Sequence, residues 1–273
     1  MSPPLLEVRG LRVWFERGGR RVEAVAGLDL EVGRGEAVGV VGESGAGKSL
    51  AMLALLGLAP RGARVEGSVR LDGEEILGLG ARGLRAVRGR RVAVVFQDPL
   101  AALNPVYRVG AQIAEAVLAH RPALGRREAH RRAVDALARL GVAQPEVRAR
   151  QYPHELSGGL RQRVVIAMAA VNEPELLIAD EPTTALDATV QAQVLDELAA
   201  LRASLGAALL LVTHDLGVIA RVAERVYVLD AGQAVESGET AAVFAAPAHP
   251  RTRALLAASL GLERECECER EQP

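Results

Sequence analysis

Short apolar runs alternate with longer stretches of helical periodicity along the chain, and this alternation predicts an α/β fold with a largely parallel sheet. The run at residues 37–41 shows no polar alternation, which is typical of a strand buried on both faces. The predicted strands cover residues 5–8, 11–15, 28–32, 37–41, 92–96, 176–179, 208–212 and 225–229. The predicted helices cover residues 48–58, 109–119, 126–140, 160–171, 188–202 and 215–222.

The segment from Asn104 to Ser157 lacks strand patterns and is predicted to be mainly helical, with breaks at Pro122, Pro145 and Pro153. We expect it to form a helical insert within an α/β core. Beyond residue 240, short helical patterns lead to a charged end.

Composition limits the classes of protein to which the chain can belong. Of the 273 residues, 49% are hydrophobic and 25% are charged, with a formal net charge of -1, which favours a globular protein over a disordered or disulfide-stapled one. A near-neutral chain is not expected to coat nucleic acid, so we expect no nucleic-acid partner. The apolar stretches are shorter than the roughly 20 residues of a membrane helix. The first ten residues lack the pattern of a secretory signal, so we expect the chain to remain in the cytosol.

Arginine supplies 32 of the 33 basic residues, and Lys48 is the exception. The arginine clusters at residues 82–91 and 126–132 are expected to form solvated basic faces. Cys266 and Cys268 lie close together in the charged tail. We expect them to be exposed thiols, with an incomplete metal site as the alternative. The isolated lysine needs a chemical reason, which its surroundings provide.

A glycine-rich motif surrounds Lys48 and fits the pattern G-x-x-x-x-G-K-[ST] at every fixed position. It consists of Gly42, Glu43, Ser44, Gly45, Ala46, Gly47, Lys48 and Ser49. It follows a predicted buried strand and precedes a predicted helix, so that its N–H groups form an anion nest at the positive end of the helix. Lys48 is predicted to contact the β- and γ-phosphates, and Ser49 to bind Mg²⁺. By itself, the motif predicts only that the chain binds a nucleoside triphosphate.

Polar residues follow three other predicted strands, where an open α/β sheet binds its ligands. Asp180 and Glu181 end the strand at 176–179. We predict that Asp180 holds Mg²⁺, directly or through water, and that Glu181 activates the attacking water as general base. His214 is a candidate for the γ-phosphate, and Gln97 for Mg²⁺ or the water.

Ser157, Gly158 and Gly159 open a further predicted helix and form a second anion-binding helix start. One nucleotide cannot easily use two such starts of a single subunit. We therefore expect this motif to close over ATP bound to a partner chain, which makes the catalytic unit a dimer.

The motifs in this order resemble those of an ABC-type ATPase, the nucleotide-binding subunit of an ABC transporter. They are GESGAGKS at 42–49, Gln97, LSGG at 156–159, LLIADEP at 176–182, ALD at 185–187 and His214. The resemblance implies an α/β fold with a P-loop NTPase core, an antiparallel β subdomain and a helical insert.

The resemblance also implies a division of the chain and a geometry of the dimer. The ATP-binding core would occupy residues 1–103 and 161–239, the helical insert 104–160, and a short C-terminal extension 240–273. Two ATP molecules would be sandwiched head to tail between subunits, with Asp187 at the loop that couples the two sites. Phe15 would stack on adenine, with Trp14 as the alternative.

A closer resemblance is to the dipeptide, oligopeptide and nickel import group. It rests on FQDP at 96–99, LNPV at 103–106, LSGGLRQR at 156–163, THDLGVIA at 213–220 and HPRT at 249–252. Leu160 stands where most ABC ATPases carry glutamine, although an apolar residue is usual in this group. Many members also hold an iron-sulfur cluster with several cysteines, but two cysteines do not support one here.

The group implies a peripheral subunit at the cytoplasmic face of the membrane that powers uptake of peptides, or of a similar small solute such as nickel. Its partners would be a second ABC ATPase subunit, identical or paralogous, two membrane permeases and, indirectly, an extracytoplasmic solute-binding protein. One alternative is a soluble ABC-type ATPase that acts on DNA or ribosomes. A small-molecule kinase with a phosphate loop is another, which the LSGG motif and His214 argue against.

Overall fold

The computed structural model describes residues 3–184 and 186–259, except for the side chain of Arg17. Its strands are β1 (Leu6–Arg17), β2 (Arg20–Val32), β3 (Ala37–Val41), β4 (Ala63–Leu71), β5 (Glu74–Glu75), β6 (Val92–Val95), β7 (Leu176–Asp180), β8 (Ala208–Thr213), β9 (Arg225–Asp230) and β10 (Gln233–Glu239). Its α-helices are α1 (Lys48–Leu55), α2 (Ala81–Val87), α3 (Pro99–Ala102), α4 (Val109–His120), α5 (Gly125–Arg139), α6 (Pro145–Arg148), α7 (Gly158–Ala170), α8 (Ala188–Leu205), α9 (Leu216–Val222), α10 (Thr240–Ala245) and α11 (Pro250–Ser259). The predicted α/β alternation is confirmed.

The described residues form two units, one made of residues 3–33, 37–78 and 211–259, the other of residues 34–36, 79–184 and 186–210. The division of the chain drawn from the family resemblance stays a prediction. Strand β8 begins in the second unit and ends in the first. Ala185, Cys266 and Cys268 lie outside the described residues.

The first unit contains an antiparallel sheet with the strand order β2-β1-β4-β5. The strands predicted at 5–8 and 11–15 are one strand, β1, because the chain continues through a bulge at Gly10 with φ +56°. A second set of strands runs in the order β10-β9-β3-β8. There β3 pairs in parallel with β9, from Val38 opposite Arg225 to Val41 opposite Val228. All five residues of β3 are buried, as the sequence predicts.

The second unit contains strands in the order β8-β7-β6, with β6 and β7 parallel from Val92 opposite Leu176 onwards. Helices α4, α5 and α6 fill the segment predicted to be helical. Pro145 is the first residue of α6, while Pro122 and Pro153 each begin a short 3₁₀-helix, so the prolines break the helices as expected.

Some charged side chains of the second unit form an ion pair between helices, and others are exposed on a helix surface. Arg163 of α7 forms a two-pronged ion pair with Glu197 of α8, at N···O distances of 2.6 and 2.8 Å, which joins these helices. On α5, Arg126, Arg127 and Arg131 are exposed, in agreement with the predicted basic face. Among the described residues, no helix is both long and apolar enough to cross a membrane.

Candidate active site

The phosphate loop at residues 42–49 joins β3 to α1, and glycine is required at two of its positions. A Cβ atom at Gly42 would lie 2.3 Å from the carbonyl oxygen of Leu229, at the end of β9. A Cβ atom at Gly47 would lie 2.3 Å from the carbonyl oxygen of Ala24 in β2, and Gly47 also has φ +90°. Because these obstacles are backbone atoms, neither position can accept a side chain without moving a strand.

Lys48 lies inside the phosphate loop and is only 6% exposed. Its ammonium group donates to the carbonyl oxygens of Gly42, at 2.7 Å, and Glu43, at 2.9 Å. The loop thus curls around its own cation, and the contact of this lysine with phosphate stays a prediction. A buried ammonium group in a glycine-rich loop attracts negatively charged phosphate electrostatically.

The first turn of α1 adds the positive end of a helix to this loop. Gly47 is the N-cap of α1, and within the described part of the chain no side chain caps this start, as is typical of helix starts that bind anions. Ser49 follows Lys48 in this first turn and places a hydroxyl there. The remaining loop residues are Ser44, Gly45, with φ +86°, and Ala46, which is buried and bonds through its oxygen to the N–H of Gly232 at 3.1 Å.

The two candidate aromatic residues for adenine lie next to each other on β1 but differ in their surroundings. Trp14 is 9% exposed, and the guanidinium carbon of Arg21 lies 3.9 Å from its ring centroid. Phe15 is partly exposed. Trp14 pairs with Glu23 of β2, the neighbour of the Ala24 that contacts Gly47, so β1 passes close to the phosphate loop.

The second unit holds a carboxylate cluster at the end of β7. The side-chain amide of Gln97 donates to Glu181 at 2.8 Å, and the hydroxyl of Thr184 donates to the same carboxylate oxygen at 2.9 Å. Glu181 has φ +46°, a left-handed conformation that is costly for a residue with a side chain. Strain at a residue whose carboxylate is held by two donors is typical of a functional site.

The structure brings Gln97 and Glu181 together across 84 residues, from the ends of the adjacent strands β6 and β7. Asp180 is the last residue of β7, so it precedes Glu181 at the same strand end. His214 follows the last residue of β8 in the first unit and is exposed. Sequence reasoning missed Thr184. Its signal is its place three residues after Glu181, in the turn that the ADEPTT run makes.

The signature residues lie at the start of α7 in the second unit. Ser157 is the N-cap, and its hydroxyl accepts from the N–H of Leu160 at 3.4 Å. Ser157 and Gly158 are exposed, whereas Gly159 is buried against α8, where a Cβ would lie 2.6 Å from Val190. Asp187 caps α8 and accepts from the N–H groups of Thr189 and Val190 at 3.1 and 3.0 Å. The start of α7 at residues 157–159, here called the signature start, is therefore packed against α8 at Gly159 and exposed to solvent at Ser157 and Gly158.

Comparisons with known proteins identify the family of the chain. The protein-family model described as "ABC transporter" matches residues 25–184. The oligopeptide transport ATP-binding protein OppD of Mycobacterium tuberculosis is 53% identical over 253 residues, which are 93% of this chain and 41% of that protein. The chain thus spans about two fifths of the length of its mycobacterial relatives. OppD of Bacillus subtilis is 44% identical over 261 residues, or 95% of this chain and 73% of that protein.

Solved structures give the same result for the fold. The ATP-binding cassette MJ0796, solved as a dimer in a post-hydrolysis state with ADP and Pi, is similar with a TM-score of 0.76 and 28% identity over 86% of this chain and 98% of that one. CbiO1 of Clostridium perfringens, part of an ABC transporter complex, is similar with a TM-score of 0.76 and 26% identity over 89% of this chain and 92% of that one. The resemblance inferred from the motifs is confirmed, and the chain belongs to the family of ABC transporter ATP-binding proteins.

Proposed function

We propose that this chain binds ATP with Mg²⁺ and hydrolyses it to drive import of peptides, or of a similar small solute such as nickel, through partner permeases. The observation that carries the hydrolysis is the Glu181 carboxylate, held by Gln97 and Thr184 at a strained strand end. The class of solute rests on the relatives, which are named for oligopeptide transport and peptide import.

Binding of ATP follows from the chemistry of the phosphate loop. Lys48 supplies a buried positive charge, the start of α1 supplies N–H groups, and the two enforced glycines bring the backbone close to the phosphates. For adenine we favour Phe15, because one face of the Trp14 ring is already covered by the guanidinium group of Arg21.

The residues proposed for Mg²⁺ carry the hard oxygen donors that this ion prefers. They are the hydroxyl of Ser49, the carboxylate of Asp180 and the amide oxygen of Gln97, whose nitrogen is the atom that donates to Glu181. When bound, the ion neutralises charge on the β- and γ-phosphate oxygens.

Glu181 is the proposed general base. Gln97 and Thr184 both donate to one oxygen of its carboxylate and so orient the group that is proposed to accept a proton from the attacking water. Because Gln97 touches both this carboxylate and, in the proposal, the Mg²⁺, it can report the state of the γ-phosphate to the base. His214 is proposed to stabilise charge on the γ-phosphate.

The exposed signature start supports a site shared between two ATPase subunits. Ser157 and Gly158 of one subunit would close over the ATP held by the phosphate loop of a second subunit, identical or paralogous, with Asp187 beside this contact. Two such sites make a unit whose opening and closing depends on ATP.

Coupling to permeases is proposed for the surface that follows Gln97. Leu100, Val106 and Tyr107 are 56%, 70% and 57% exposed, so three large apolar side chains face solvent within eight residues. A cavity of about 160 Å³ lies beside Gln97, Leu100 and Gly158. We propose that cytoplasmic loops of two membrane permeases bind here, which places the subunit at the cytoplasmic face of the membrane, and that an extracytoplasmic protein delivers the solute.

Glu181→Gln tests the hydrolysis. We expect steady-state turnover to fall about 10²- to 10⁴-fold because the amide cannot accept the proton, while ATP binding is retained. Glu115→Gln, the same chemical change at an exposed position of α4, is the matched control and should turn over normally. Wild-type turnover in Glu181→Gln would remove Glu181 from this role.

Copurification and reconstitution test the transport. The chain should be recovered with membrane permeases, and vesicles containing the assembled complex should take up a peptide or Ni²⁺ only when ATP is supplied. Recovery with DNA or ribosomes and without a permease would favour the soluble ABC-type ATPase instead.

A further inference from the structure

The HPRT segment at residues 249–252 has no part in the proposed reaction, but the structure places it against the phosphate loop. Arg251 lies in the first turn of α11, 208 residues from Glu43. Its guanidinium group donates to the carboxylate of Glu43 at 3.2 Å and to that of Asp230 at 3.1 Å. One side chain thus links the second residue of the loop to the last residue of β9.

The rest of the loop is held by backbone contacts. Gly42 is packed against the oxygen of Leu229, Ala46 accepts from the N–H of Gly232, and Gly47 is packed against the oxygen of Ala24. Residues 43–45, here called the Glu43 limb, lie between the backbone contacts at Gly42 and Ala46. The side chain of Arg251 contacts this limb at Glu43. The position of Glu43 matters for the site because its carbonyl oxygen also accepts from Lys48 at 2.9 Å.

The start of α11 is itself anchored. The carboxylate of Glu236 in β10 accepts from the N–H groups of Ala248 at 2.8 Å and His249 at 3.0 Å, and from the hydroxyl of Thr252. Thr252 is 1% exposed and Glu236 is half-buried, so this contact is partly shielded from solvent. The ring nitrogen of His249 accepts from the N–H of Arg251 at 3.2 Å, which fixes the backbone from which the guanidinium group extends.

The charge state of Glu236 suits this anchor. Burial acts to raise the pKa of its carboxyl group, but the hydrogen bonds from Thr252, Ala248 and His249 outweigh burial and hold the pKa below its ordinary value. The carboxylate is therefore ionised at neutral pH and holds the HPRT segment in place.

We propose that Arg251 is a positioning residue that holds the Glu43 limb of the phosphate loop against β9 and so strengthens the binding of ATP without touching it. The inference rests on the proposed binding of ATP at this loop. It gives the HPRT segment a function, namely to connect the C-terminal part of the chain to the nucleotide site.

The size of the effect follows from exposure. The side chains of Arg251, Glu43 and Asp230 are 46%, 56% and 30% exposed, so each ion pair is screened by solvent. We expect Arg251→Ala to raise the dissociation constant for ATP about two- to fivefold, measured by calorimetry in the Glu181→Gln background. The turnover number, measured with Glu181 intact, should change less than about twofold, because the residues at Glu181 are untouched.

Three further measurements separate positioning from a general structural role. Arg251→Lys should recover part of the affinity, because a single ammonium group keeps the charge but cannot fork to both carboxylates. The difference between Arg251→Ala and wild type should fade at about 1 M salt, where the Debye length is roughly 3 Å. Arg251→Ala should cost less affinity in the Glu43→Gln background than in wild type, because Glu43→Gln already removes the charge on the loop that attracts Arg251.

Arg253 provides the matched control, since it carries the same charge on the same helix but donates to the carbonyl oxygens of Pro247 and Ala248. An equal loss of affinity in Arg253→Ala would overturn the proposal, as would additive effects of Arg251→Ala and Glu43→Gln or an unchanged dissociation constant in Arg251→Ala. Lys48→Ala tests the underlying site separately, because retained ATP binding in that variant would mean that the loop does not hold the nucleotide at all.

Discussion

The helices α1 and α7 both start at glycine-rich motifs, but the two starts are built differently. At α1, backbone carbonyl groups of neighbouring strands enforce Gly42 and Gly47, and the loop surrounds the buried ammonium group of Lys48. At α7, Ser157 and Gly158 are exposed, and the helix start is capped by the hydroxyl of Ser157. Gly159 is enforced by a side chain of α8 and not by backbone.

This difference indicates how the start of α1 and the start of α7 would each bind a phosphate group. A loop that carries its own cation and is fixed by neighbouring strands is formed before the ligand arrives. A start that is open on its outer side needs another surface to bring the ligand. The comparison therefore favours one complete phosphate site and one half-site in each chain.

The largest expected effect comes from adding a methyl group at the enforced start. In Gly47→Ala, the new Cβ would meet the oxygen of Ala24 at a residue whose φ is +90°. We therefore expect the affinity for ATP to fall at least about 100-fold and the free energy of unfolding to fall by about 2–4 kcal/mol. Calorimetry and chemical denaturation measure the two quantities.

Gly158→Ala is the matched change at the open start. The nearest atom to its Cβ is Cδ2 of Leu186 at 3.6 Å, an ordinary contact. We expect this variant to fold normally and to bind ATP at its own phosphate loop. Equal losses of stability in Gly47→Ala and Gly158→Ala would show that the two starts are not built differently.

The next effect concerns the cation. Lys48→Arg keeps the charge but replaces a compact ammonium group by a flat guanidinium group, which is too broad for a space closed by Gly42 and Glu43. We expect ATP affinity or turnover to fall about 10- to 100-fold, a loss of roughly 1.4–2.7 kcal/mol. Normal hydrolysis by this variant would mean that the lone lysine is an accident of composition.

Features of the fold and the site that depend on neighbouring residues could be predicted from the sequence, whereas contacts between residues far apart in the chain could not. The phosphate loop, β3 and the cap at Ser157 are encoded in short runs of sequence, and the structure has them where the sequence predicts. The contacts Gln97–Glu181 and Arg251–Glu43 join residues 84 and 208 positions apart, and no local pattern reveals them.

Missed elements have physical reasons of their own. β4 and β10 contain Gly67 and Gly238 among charged residues, so they lack the apolar runs by which strands are predicted. The short helices α2 and α3 offer too few turns for a periodic pattern. The bulge at Gly10 made one strand look like two.

A third test asks whether the open start serves another chain. Ser157→Arg should prevent closure over the partner's ATP while leaving binding at the variant's own phosphate loop intact. In mixed dimers of wild type and Ser157→Arg, we expect turnover to fall at least about tenfold at the site to which the variant contributes its signature. Normal hydrolysis at both sites of the mixed dimer would contradict the shared site.

The smallest expected effect separates the two roles of the Ser157 hydroxyl, as a helix cap and as a phosphate ligand. Its contact with the N–H of Leu160 is long, at 3.4 Å, so Ser157→Ala should cost less than about 1 kcal/mol of unfolding free energy. Ser157→Asp should keep the cap, because aspartate is as good an N-cap as serine, yet its charge would repel phosphate.

The pair of variants therefore gives opposite orders in the two measurements. For stability, measured by denaturation, Ser157→Asp should match wild type and Ser157→Ala should be slightly weaker. For ATP turnover in the dimer, Ser157→Ala should lose a few-fold and Ser157→Asp considerably more, because only the latter places a negative charge where the partner's γ-phosphate is proposed to lie. If turnover followed stability instead, Ser157 would act only as a cap, and α7 would start like any other helix.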